Sequence, residues 1–260
     1  MKLGLHSYVD SLVTTEEDLM REHLPTEEGA VWVELGCGAA KCAQSLAKDL
    51  KNVHFRCYEV DEKQLQKNLA LTSCPENLSF GMAGMQNFPA DNESVDAVVM
   101  LKSLHHVPKE YLKPGFERIR SALKVGGKLF ICEPVFTGDF NEILRLFHDE
   151  EEVRSNAFDA LKSQVEEESF ELEKELHFQV LSKFPRGFAD FEERVIGSTF
   201  NHFQLSDTVL EMVKERFQKH VKEDGSAQFY MPMRLDLLVK KKQNLDTKWE
   251  EEHTRKGLDT

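Results

Sequence analysis

Two glycines one residue apart, Gly36 and Gly38, follow the acidic Glu34 in the segment Val33-Glu34-Leu35-Gly36-Cys37-Gly38-Ala39-Ala40. Without Cβ atoms the backbone can turn sharply there, and a flat nucleotide-like cofactor can lie close against it. About twenty residues further on, a second apolar run ends in Glu59, placed to accept hydrogen bonds from both hydroxyls of a ribose. A third set is titratable: His105 and His106 follow another apolar run, and Glu133 ends the next. An imidazole there suits proton removal near neutral pH, and Glu133 can orient an acceptor or serve as a base itself.

The spacing after the glycine pair separates two cofactor classes. A dinucleotide fingerprint needs a third glycine where this chain has Lys41, whose long side chain conflicts with close helix packing. A nicotinamide-dependent oxidoreductase is thereby disfavoured. The segment instead resembles motif I of the class I S-adenosylmethionine-dependent methyltransferases, with Ala40 at the last glycine position. In the order that family expects, residues 87–99 are similar to its third and fourth motifs. Leu104-His105-His106-Val107-Pro108 resembles the loop after its fourth strand, and 123–129 with Glu133-Pro134 the turn into its fifth. The resemblance covers about 31–134.

That resemblance implies a three-layer, Rossmann-like α/β sandwich with a mostly parallel seven-stranded sheet and an antiparallel C-terminal strand. It implies transfer of the methyl group of S-adenosylmethionine to a small-molecule acceptor. The cofactor-binding positions it marks are Glu34, Gly36, Gly38, Glu59, Met85, Gln86, Leu101 and Lys102. Many members carry an acid for the adenine amino group where this chain has Gly84, so that contact falls to the Gln86 side chain or the Met85 backbone. Ser103-Leu104-His105 resembles the segment bearing the catalytic histidine of phosphobase methyltransferases, which pair it with a tyrosine near the N-terminus. His105, Glu133 and Tyr8 are the catalytic candidates, and His106, His202, Tyr230 and Arg234 the acceptor-binding ones. Lys102 is expected to point to solvent. No metal site is expected, because adjacent histidines on an extended strand point to opposite faces.

The elements that must carry these residues follow from periodicity. Strands are expected at 31–35, 53–58, 78–82, 95–101 and 127–133, alternating with helices at 39–50, 62–72 and 109–123, an order that gives a parallel sheet covered on both faces. A helix over 8–23 precedes them, with Thr14 or Thr15 at its start. After Glu133 the alternation stops. A helix at 140–147 is followed by Val153, Ala157, Leu161, Val165, Leu172, Leu176 and Val180, whose spacing predicts one long amphipathic helix or two, acting as a lid over the acceptor. A helix at 189–196, a strand at 199–203, a helix at 205–221 and a strand at 229–239 complete the chain. The organisation expected is a helical cap (1–29), the cofactor-binding core (30–135), a helical lid insertion (136–198), a C-terminal completion (199–242) and a flexible tail (243–260).

Composition narrows the partners. Lys plus Arg number 33 against 46 Asp plus Glu, a net charge of -13, where nucleic-acid enzymes display a basic face. No membrane span or secretory signal is expected, which places the protein in the cytoplasm. The five cysteines form no Cys-x-x-Cys pair and read as reduced thiols. A cofactor-binding scaffold without turnover is the alternative to an enzyme, and a monomer and a homodimer are equally compatible with the sequence.

Overall fold

The computed structural model describes residues 12–197 and 203–242. The expected helix start at Tyr8, the strand at 199–203 apart from Phe203, and the tail from 243 lie outside the described residues. Seven strands are present among those described: β1 (Val31–Leu35), β2 (His54–Glu59), β3 (Leu78–Met82), β4 (Val95–Leu101), β5 (Leu123–Pro134), β6 (Glu171–Phe184) and β7 (Ala227–Val239). They form one sheet in the order β3-β2-β1-β4-β5-β7-β6, in which β7 alone runs antiparallel.

Helices cover both faces, so the central strands read as nearly continuous apolar runs rather than alternating ones. On one face α1 (Glu16–His23) and α2 (Lys41–Asp49) bring Leu19, Met20, Ala43 and Leu46 onto Trp32, Val99 and Phe130. On the other, α4 (Lys109–Ala122) and α6 (Glu151–Glu166) bring Phe116, Ile119, Ala157 and Leu161 onto Val33, Val98 and Ile131. Between β2 and β3 runs α3 (Glu62–Leu69), begun by Asp61, whose carboxylate accepts the Lys63 N–H at 2.9 Å. The N-cap of α1 is Thr15, its hydroxyl accepting the Asp18 N–H at 3.1 Å, so residues 12–14 are not helical as expected.

The expected all-helical stretch after Glu133 is corrected in two ways. First, α6 is a layer of the core rather than a lid, since its apolar face shares one cluster with α4. Second, 171–184 is a strand on the sheet edge, paired along its length with β7. Leu172, Leu176 and Val180 are four residues apart, a step that fits one helical turn and two strand repeats equally well. A register shift between Leu172 and Lys174 then sends Leu172 to the α4/α6 face and Leu176 and Val180 to the opposite one.

A third cluster stands past the end of β6. There α5 (Asp139–Leu144), α7 (Phe188–Phe191) with the π turn Glu192–Ile196, and α8 (Asp207–Gln218) enclose Phe184, Phe191, Phe217 and Phe229. No helix among the described residues is long and apolar enough to cross a membrane.

Candidate active site

At the carboxyl end of β1 the chain turns through Gly36 (φ +69°) and Gly38 (φ +53°), a region that side chains rarely adopt. A Cβ on Gly36 would stand 2.7 Å from that of Ser103, whose hydroxyl donates to the Leu35 carbonyl at 2.8 Å. Gly38 faces open space, and its N–H donates to Glu59 Oε2 at 2.7 Å. The other oxygen of Glu59 accepts the Val60 and Asp61 N–H groups at 2.8 and 2.9 Å. One carboxylate thus ties the turn to the end of β2. Ala40, at the motif's last glycine position, is itself left-handed at φ +47° and buried.

A cleft of about 1060 Å³ opens over this turn, bounded by Gly36, Gly38, Glu59, Gln86, Lys102 and His106. Met85 and Leu101 also line it, so seven of the eight expected cofactor positions share one wall. The eighth, Glu34, does not. It is buried under the turn, accepts from the Cys57 thiol at 3.6 Å, and is pushed up to about 7 by burial. A Cβ on Gly84 would fall 2.5 Å from Gln86 Oε1, so the Gln86 amide occupies the place of the missing acid. The space, the side-chain-free turn and the acid at the end of β2 fit an adenosyl cofactor. Lys102 is exposed at the cleft rim and pairs there with buried Glu16 of α1, from a left-handed backbone at φ +53°.

After β4 the chain enters a 3-10 turn, Leu104–His106, that sends two histidines into different settings. His106 is exposed on the cleft wall. His105 is buried behind it, with Nδ1 on Glu133 Oε2 and Nε2 3.6 Å from Glu150 Oε1. Glu133 Oε1 also accepts the Leu104 N–H at 2.8 Å. Burial alone would lower the His105 ring, but the two carboxylates raise it to about 9. Burial would raise Glu150, yet His105 and Arg154 hold it far below the usual carboxylate range.

His105 and Glu133 are therefore brought together as expected, but neither lines the cofactor cleft. Arg234 is buried as well, donating to Asp236 at 2.7 Å with its guanidinium 4.1 Å from the Phe158 ring centre. Tyr230 lies in a separate groove beside Thr137 and Gln179. Tyr8 and His202 lie outside the described residues. Sequence reading missed Glu150, His148 and Arg154. They sit in an acidic stretch, 148–154, that looks like a solvated helix face, and only the fold places it against the turn after β4.

Residues 33–127, from the middle of β1 into β5, match the family described as methyltransferase domain. The chain carries a methyltransferase domain of class I fold. The methyl donor of that domain is S-adenosylmethionine, which sets aside the nicotinamide reading. Solved structures of like fold include the YcgJ protein of Bacillus subtilis, 13% identical with a TM-score of 0.62, covering 87% of this chain and 98% of that one. The cyclopropane synthase MmaA2 of Mycobacterium tuberculosis is 16% identical with a TM-score of 0.55, over 86% and 83% of the two chains. Phosphoethanolamine N-methyltransferase 2 of Haemonchus contortus, solved in complex with S-adenosylmethionine, is 14% identical with a TM-score of 0.50, over 86% and 51%. No curated protein matches the chain.

Proposed function

We propose that the methyltransferase acts on a small-molecule acceptor held in the same cleft as the cofactor, against His106 and Tyr111. The observation that carries this reading is the cleft itself. Its volume of about 1060 Å³ lies at the upper end of small-ligand sites, room for a cofactor and a modest acceptor together. A net charge of -13 argues against a nucleic-acid acceptor. The phosphobase resemblance of residues 103–105, and a like-folded protein named for phosphoethanolamine, point the same way.

Bound S-adenosylmethionine supplies an already activated sulfonium methyl group. The chain's own residues bind and orient. The turn at Gly36 and Gly38 admits the cofactor, Glu59 takes the ribose hydroxyls, and Met85 and Gln86 face the adenine. His106 and Tyr111 hold the acceptor in line with the methyl group and keep water out, which supplies much of the rate for such a displacement. His105 and Glu133 act as positioning residues, fixing the turn that presents His106.

The test is methyl transfer from labelled cofactor into a metabolite extract, followed by separation of small from large molecules. Label should collect in the small-molecule fraction. Label confined to protein or RNA would overturn the small-acceptor reading.

A further inference from the structure

The turn after β4 gathers more ligating atoms than methyl transfer requires. His105 Nε2, a ring nitrogen of His106 and a carboxylate oxygen of Glu150 all lie within 4.8 Å of one another. His148 Nε2 stands 2.7 Å from Glu150 Oε1, the oxygen that also faces His105. Two imidazoles, His105 and His148, thus face one carboxylate oxygen, and His106 stands beside them. Neighbouring histidines achieve this because they ride a 3-10 turn with ring centres 4.0 Å apart, not the extended strand that would oppose them.

The surrounding groups orient those atoms. Glu133 holds His105 Nδ1, leaving Nε2 to face the cluster, and Glu133 is itself fixed by the Leu104 N–H. A metal-ligating histidine characteristically gives its other ring nitrogen to a carboxylate in this way. Arg154 takes Glu150 Oε2 and leaves Oε1 to the imidazoles. Both carboxylates are buried; Arg154 balances one of them, and a metal ion would take the place of the proton that the other holds on His105.

We propose that this cluster binds one divalent zinc ion through His105 Nε2, His106 and Glu150 Oε1, with His148 holding Glu150 rather than the metal. Imidazole with one carboxylate is a zinc-type ligand set, whereas magnesium prefers oxygen donors throughout. Tetrahedral zinc ligands at about 2.1 Å stand roughly 3.4 Å apart, so closing the cluster takes side-chain rotations on the order of 1 Å. Three protein ligands leave a position open, the mark of a catalytic rather than a structural zinc. His106 belongs to both the cluster and the cleft wall, which sets that position beside the methyl donor.

The consequence deepens the small-acceptor reading and rests on it. A zinc-bound acceptor atom loses its proton to solvent more readily, as zinc-bound water does. Its lone pair then forms the new bond to the methyl carbon while the carbon–sulfur bond breaks toward sulfur. S-adenosylhomocysteine, methylated acceptor and one proton result.

Zinc chloride titrated into chelator-stripped protein against a chromophoric chelator should show one equivalent bound at micromolar or tighter affinity, with magnesium inert. Cobalt in its place should give visible absorption bands of a low-coordinate site, a signature that needs no variant. His106→Ala and Glu150→Gln, each with the parent's circular dichroism, should weaken zinc by at least ~100-fold. Glu59→Ala should do the reverse, losing cofactor and keeping zinc, so zinc binding is judged apart from methyl transfer. Substoichiometric zinc in the parent, or parent-like affinity in both cluster variants, would overturn the proposal.

Discussion

Glu59 already accepts three backbone N–H groups, from Gly38, Val60 and Asp61, so its carboxylate is oriented before any ribose arrives. That makes its two duties separable. Glu59→Ala should weaken S-adenosylmethionine by ~10–100-fold in calorimetry, the worth of one or two charge-assisted hydrogen bonds. It should also lower thermal stability, because three donors lose their acceptor. Normal cofactor affinity with lowered stability would leave Glu59 a purely structural tie. At this scale the sequence was legible where chemistry is local: the glycines and Glu59 lie on consecutive elements at a spacing the cofactor dictates. It was not legible for Glu150 or His148. Their partner His105 is more than forty residues away, and the acids flanking Glu150 mask the one that is buried. His105 and His106 were visible as a pair, but which one meets the cleft depends on a turn whose handedness the letters do not record.

Elements show the same division between local and distant causes. The five strands and the three helices between them up to Glu133 were readable because the central strands β1 and β4 are buried on both faces and each helix carries one apolar stripe. Beyond Glu133, β6 was hidden by apolar steps of four residues and by a bulge that changes its buried face. The reassignment of α6 from lid to core has a direct check. Leu161 is fully buried between α4 and the sheet, so Leu161→Ala should cost about 2–5 kcal/mol in chemical denaturation, as core truncations do. A mobile lid would lose almost nothing. Gly36→Ala tests the turn in turn: a left-handed backbone and a Cβ 2.7 Å from Ser103 should cost stability and cofactor affinity together.

For the whole molecule, the charge read from composition becomes a statement about pH. Buried Glu34 is pushed up to about 7 and Asp236 to about 6, both chiefly by burial; the Cys57 thiol and then Lys102 oppose the shift at Glu34, and Arg234 opposes it at Asp236. Ordinary carboxyls titrate near 4, so between about pH 4 and 7 the folded chain holds protons that the unfolded chain has released. Folded-state excess makes stability fall as pH rises through that window. Glu150 and Glu133, held low by His105, act oppositely, but their contribution is lost only as pH drops below about 4. His105, raised to about 9, adds stability that fades on the alkaline side. Comparing Glu34→Gln with the parent cancels those shared contributions and isolates one group. The amide still offers the Cys57 thiol an acceptor and never ionises, so the variant should match the parent near pH 4 and exceed it at pH 8. The gain should be on the order of 2 kcal/mol, read from denaturant midpoints in chelator without cofactor. A difference that stays constant from pH 4 to 8 would mean that Glu34 ionises normally beneath the turn and that burial does not govern it.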